Sequence, residues 1–144
     1  MLLTLILSLT VILFVLLMLY SAVALIQKKA LFSSAPKDIQ AAIRDREKER
    51  FKGARILGVI LLVISMLGFV GAFLYGAIDG IQKNFLLWQF FLRFLTMLYI
   101  FKAFDIICLD WLLLTKSHFF QHYYPETIGC AGYRKFGFNR KSQI

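Results

Sequence analysis

Residues 1–26 and 56–78 contain no charged side chain. A helix rises 1.5 Å per residue and needs about 20 apolar residues to cross roughly 30 Å of hydrocarbon. Each run is therefore long enough to span a bilayer. A third apolar run, 85–115, also has spanning length but carries Arg93, Lys102, Asp105 and Asp110. The chain has 144 residues, 60% of them hydrophobic, against about 45–50% for soluble domains. Nothing is left over for a separate soluble core. The expected fold is an all-α membrane protein in one membrane domain. It has three transmembrane helices at about 2–26, 55–78 and 86–115, a charged cytoplasmic connector helix at about 37–52, and a short basic tail at 116–144.

The net charge of +9 suggests nucleic acid until its distribution is read. Nine basic residues lie between Lys28 and Arg55, five between Lys116 and Lys141, and Lys83 stands alone in the 79–84 link. Basic residues that flank spans mark the cytoplasmic side. The expected topology puts the N-terminus outside and the C-terminus in the cytoplasm, and the expected contact is with anionic lipid rather than nucleic acid. The first run lacks a positive leading region and an A-x-A cleavage pattern and exceeds signal-peptide length, so it is expected to stay as an anchor. Its surface reads as generic and lipid-facing. Cys108 and Cys130 provide no disulfide framework, and reduced thiols are expected.

In 33–52, Ser34 is a candidate helix N-cap and Pro36 suits a first turn. The alternating charges of 45–50 support a solvated connector helix, with a partner-docking helix as the alternative. The run into the second span lacks proline, so one continuous helix through both is also consistent. Gly68, Ala72, Gly76 and Gly80 recur every four residues, on one helical face. Small faces let membrane helices approach closely. The partner helix is either in the same chain or in another subunit, and Ser65 and Gly71 widen the same region.

A charged group at the bilayer centre costs about 2.5–3.5 kcal/mol on insertion scales. Trp88 and its neighbours suit an aromatic belt, and Arg93 just beyond them is expected to snorkel to the outer headgroups. Lys102 and Asp105 lie three residues apart and can pair on one face. Asp110 is close to the inner end, where Lys116 can reach it. The Lys102, Asp105, Asp110 set is either a structural ion-pair cluster inside the bundle or a relay for protons or ions. His118 and His122 have i, i+4 metal-ligand spacing that Glu126 or Cys130 would complete. The residue after His118 is Phe119 rather than glutamate, and belt chemistry explains the same residues. The tail interleaves Tyr133, Phe136 and Phe138 with Arg134, Lys135, Arg140 and Lys141, suited to a lipid surface or to packing on itself. No Walker A, Rossmann, G-x-S-x-G or C-x-x-C pattern is present, and no cofactor is expected.

Tyr75-Gly76-Ala77-Ile78-Asp79-Gly80, Phe90-Phe91-Leu92-Arg93-Phe94, Lys102-Ala103-Phe104-Asp105 to Asp110-Trp111, the run from Phe119 to Thr127, and Phe136-Gly137-Phe138-Asn139 together resemble a group of small bacterial multi-pass membrane proteins, mostly from Gram-positive lineages. The resemblance covers roughly 36–142. It implies a bacterial cytoplasmic membrane and brings no catalytic residues. The expected function is that of a homo-oligomer or accessory subunit of a membrane assembly. The alternatives are a transport element lined by Lys102, Asp105 and Asp110, and a membrane-embedded metal enzyme using His118 and His122.

Overall fold

The two charge-free runs become the two helices that are long and apolar enough to cross a membrane, Leu2–Ile26 and Ala54–Gln82. The computed structural model describes residues 2–32, 35–45 and 47–134, apart from the side chains of Phe32, Asp110, Trp111, Leu114, Thr115 and Arg134. Among the described residues the fold is all-helical, with no strand.

Helix α1 (Leu2–Tyr20) widens into a π-helical turn over Ser21–Ile26. It stops at Gln27, whose left-handed backbone (φ 53°) returns its N–H to the Ala22 carbonyl at 3.0 Å. Helix α2 covers Lys37–Ala42. Helix α3 (Ala54–Gln82) starts after Gly53, at φ 89°. That conformation suits glycine, and it separates α3 from the connector. At its far end Asn84 (φ 51°) donates to the Ile81 carbonyl and Phe85 to the Gly80 carbonyl, at 3.0 and 2.9 Å. This is a Schellman closure with asparagine in the left-handed position. Helix α4 (Leu87–Phe104) then runs back, with the Gln89 side chain accepting the Leu86 N–H at 2.9 Å. From Asp105 to Lys116 the same helix continues with π-type winding. A short helix, α5 (Phe119–Tyr123), and two 3₁₀ turns, Pro125–Thr127 and Ala131–Arg134, follow.

Helix α1 is the hub, packing against both α3 and α4. Its Thr4, Leu7, Ser8, Val11 and Val15 are buried, which corrects the expectation of a generic surface. Those side chains are narrow and fall on one face. The Ser8 hydroxyl bonds the Thr4 carbonyl at 2.8 Å, so its burial leaves no donor unsatisfied. Leu7, Val11, Ala72 and Met97 form the bundle core. Helices α3 and α4 approach less closely, and rings fill the gap: Phe69 meets Phe101 at 6.1 Å and Phe73 meets Phe94 at 6.2 Å.

The connector and tail differ from expectation. A helix over 37–52 was expected, but helix stops at Ala42. Ile43 turns extended (φ −66°, ψ 132°) and is buried with Val23, Ile39, Tyr124 and Tyr133. Burying Ile43 outweighs the small gain from solvated ion pairs. The connector carboxylates bond backbone instead: Asp45 accepts the Lys29 N–H at 2.7 Å and Glu49 the Gly53 N–H at 2.8 Å. Pro36 takes the N-cap position, and Ser34 lies outside the described residues. The tail as far as Arg134 folds onto the connector and the end of α1 as a cap. Residues 135–144 lie outside the described residues.

Candidate functional site

Two ion-pair sets sit at different levels of the hairpin. The first joins the two sides of the turn. The Arg93 guanidinium donates to the Gly76 carbonyl at 2.7 Å and pairs with Asp79 at 2.9 Å. It also lies over the Phe85 ring, 4.4 Å from its centroid. Lys83 reaches the other Asp79 oxygen at 2.7 Å from one turn away. Arg93 is buried. It does not extend toward headgroups as expected, because the Gly76 carbonyl and Asp79 hold its Nη1 within the fold, although its Nε and Asp79 Oδ2 are buried without a hydrogen-bond partner among the described residues. Helix α3 runs on to Gln82, so Asp79 belongs to a helix rather than to a loop. The sequence reading missed this pair. The available signal was level: five residues before Asn84 and nine after it are at similar height in an antiparallel hairpin.

The second set is the expected one. Lys102 Nζ lies 3.5 Å from Asp105 Oδ2, one turn apart on α4. The two side chains remain 45% and 26% exposed, so the pair lies on the outside of the bundle and not within it. The Phe69–Phe101 contact puts Lys102 level with the middle of α3. The winding changes from α to π at Asp105, and π-type segments recur at functional sites. The Asp110 side chain, the third member of the expected set, lies outside the described residues.

The small-residue face is occupied from within the chain. Gly68 lies under the Phe14 ring of α1, where a Cβ would collide. Ala72 belongs to the bundle core. A Cβ on Gly76 would be 3.3 Å from Leu7, and one on Gly80 would be 2.8 Å from Phe90 Cζ. Gly58, which the ridge as read did not include, extends the face under Leu25 and Ile26, both 2.8 Å from an added Cβ. Ser65 is fully buried, its hydroxyl bonded to the Leu61 carbonyl at 2.6 Å.

The histidines do not converge. His118 has left-handed backbone (φ 53°) and precedes α5, so its i, i+4 relation to His122 no longer places both on one helical face. Both are exposed, as is Glu126 on the following turn. Cys130 instead points its thiol toward the Asp38 carbonyl at 3.9 Å. Among the described residues no group of three His, Cys, Asp or Glu side chains is placed to hold a metal.

The cap closes through Asp38, which accepts the Gly132 N–H at 2.6 Å. A Cβ on Gly132 would meet Asp38 and Pro36 at 2.6 and 2.7 Å. The Thr127 and Tyr133 hydroxyls share a buried hydrogen bond of 2.7 Å, and burial raises the Tyr133 pKa above its ordinary value of 10.0. An open cleft of about 810 Å³ beside the cap is lined by Arg44, Asp45, Glu47, Lys48, Glu126 and two alanines. Its charges are mixed and set no ligand class. Comparison of the chain with protein-family models, curated proteins and solved structures finds no match.

Proposed function

We propose that this chain is a three-span protein of a bacterial cytoplasmic membrane that works as a subunit of a membrane assembly, as a homo-oligomer or as an accessory subunit. Helices α1 and α3 supply two spans, and α4 with its π-helical continuation the third. The N-terminus lies outside and the C-terminus in the cytoplasm, and the cap rests against anionic lipid through the basic residues of 28–55. The small buried share of the apolar windows, 28% for Leu2–Ile26 and 17% for Ala54–Gln82, supports lipid as their surroundings, since core helices of soluble proteins are mostly buried.

One observation carries the assembly reading: the Lys102–Asp105 pair is half-exposed level with the middle of α3. Charges at that depth are expensive against lipid and occur where they face protein or water. With the glycine face already filled from within the chain, the outer face of α4 is the surface left for a partner. The test is native mass spectrometry of the protein extracted gently from its own membrane, for wild type, Lys102→Met, Asp105→Asn and the double variant. Adhesive charges predict that either single change disrupts the assembly and the neutral double change restores it. A wild-type chain that is always monomeric would overturn the proposal.

The π-type winding that begins at Asp105 favours a second reading, a proton or ion relay through Lys102, Asp105 and Asp110 between subunits. Three helices are too few to enclose a path alone, so this too requires oligomerisation. It predicts that Asp105→Asn abolishes flux in liposomes while the assembly survives.

A further inference from the structure

The Lys102–Asp105 pair is neutral in sum and only partly satisfied. Its 3.5 Å separation exceeds the 2.7–2.9 Å of a close charge-assisted bond. Lys83–Asp79 at 2.7 Å and Arg93–Asp79 at 2.9 Å meet that distance within the same fold. An ammonium has three donors and a carboxylate about four acceptor sites, so among the described residues one long contact leaves most of both unused. The surrounding face of α4 is apolar and open, with Phe91 and Leu98 exposed on the same side of the helix as the pair. A partner that satisfies this face must present one acid and one base at the same level, about one turn apart, on an apolar surface. This chain carries that arrangement itself.

We propose that the partner is a second copy of this chain, related by a two-fold axis, with Lys102 of one protomer meeting Asp105 of the partner subunit and the reverse. The inference rests on the reading of α4 as a span within an assembly. A two-fold contact is self-complementary and closes at two subunits. With the helices parallel, the two lysines share one level and the two aspartates lie about 4.5 Å along the axis, within reach of the lysine's four-carbon stem. The four charges then alternate in sign around the axis.

Charge exchange tests the pairing. The Lys102→Asp chain carries two acids and the Asp105→Lys chain two bases, so each repels its own copy and attracts the other. Native mass spectrometry of the wild type is expected to give twice the 16.6 kDa chain mass. Each variant alone should dimerise about a hundredfold more weakly, since like charges face each other. Co-expressed, the two should form a heterodimer with one copy of each. The exchanged double variant, Lys102→Asp with Asp105→Lys, should recover the homodimer and so show that both substitutions are compatible with folding. Single variants that dimerise like wild type, or a homo-oligomer larger than two, would overturn the pairing. A wild-type complex with a different chain would overturn the second copy and leave the subunit reading standing. A monomer with no companion would overturn both.

Discussion

The Arg93–Asp79 and Lys102–Asp105 pairs both join an acid to a base, at different levels of α4, and meet different surroundings. Arg93 is buried and reaches across the hairpin to a carboxylate, a helix carbonyl and a ring. Among the described residues Lys102 pairs along its own helix, and both members stay half-exposed. A pair between helices fixes their register, whereas a pair within one helix fixes nothing between helices and leaves its remaining valence to a neighbour. An ion pair at depth therefore says little until its partner's element is known.

The largest expected effect breaks that comparison at its buried end. Arg93→Leu leaves Asp79 without its cross-hairpin partner, and Asp79→Asn leaves Arg93 without its carboxylate. Stranding one member of a buried pair is strongly destabilising, whereas removing both is tolerated. Each single variant should lower the thermal midpoint by about 10 °C, and Arg93→Leu with Asp79→Leu should recover most of it. The Lys102→Met and Asp105→Asn variants should keep near-wild-type midpoints while losing oligomer mass. Thermal melts beside native masses check this, and large melting shifts from Lys102 or Asp105 would erase the distinction.

The same contrast explains what the sequence made legible. Hydropathy located α1 and α3 because apolar length and composition are read residue by residue. A turn was legible because polar side chains interrupt two apolar runs, but it was expected at 79–84, whereas α3 runs on to Gln82 and the turn covers 83–86. Arg93–Asp79 was not, because its partners lie on different helices and no i, i+4 rule reports them. The alternating charges of 45–50 resembled a helix surface, but Ile43 had a better use in a core assembled from Val23, Tyr124 and Tyr133. That core exists only once the tail returns to the end of α1, and local pattern carries no record of such contacts. The glycine face was legible as a face; its occupant, Phe14, was not.

A smaller effect sharpens the internal-packing side of the comparison. Gly68→Ala should push the Phe14 ring from its seat and cost about 1–3 kcal/mol. Pairing it with Phe14→Leu, which removes the obstructing ring, should recover part of that loss in the same melt. If Gly68→Ala instead abolished the oligomer at an unchanged midpoint, the face would be serving another subunit.

In the cap, Gly132→Val places a branched side chain against Asp38 and Pro36, at distances that real Cβ contacts do not reach. It should release 117–134 from the connector and speed trypsin cleavage at Lys48 and Lys52 several-fold. The α3–α4 hairpin should hold its protection, because the cap core and the bundle core are separate clusters.

The smallest effect is alkaline. Burial raises the Tyr133 pKa above 10.0, so the folded cap holds its proton where the unfolded chain has lost it. The contribution is fully present below pH 10 and is lost as pH rises through the raised value. The cap should therefore loosen above pH 10. Tyrosinate absorbance should show a delayed component that shrinks in Tyr133→Phe, and trypsin sensitivity should rise over the same interval in wild type. A Tyr133 that ionises with the exposed tyrosines would remove burial as the cause of the shift. In Tyr133→Phe the Thr127 hydroxyl keeps the Tyr124 carbonyl at 2.7 Å. That variant should thus stay folded at neutral pH and isolate the proton as the switch.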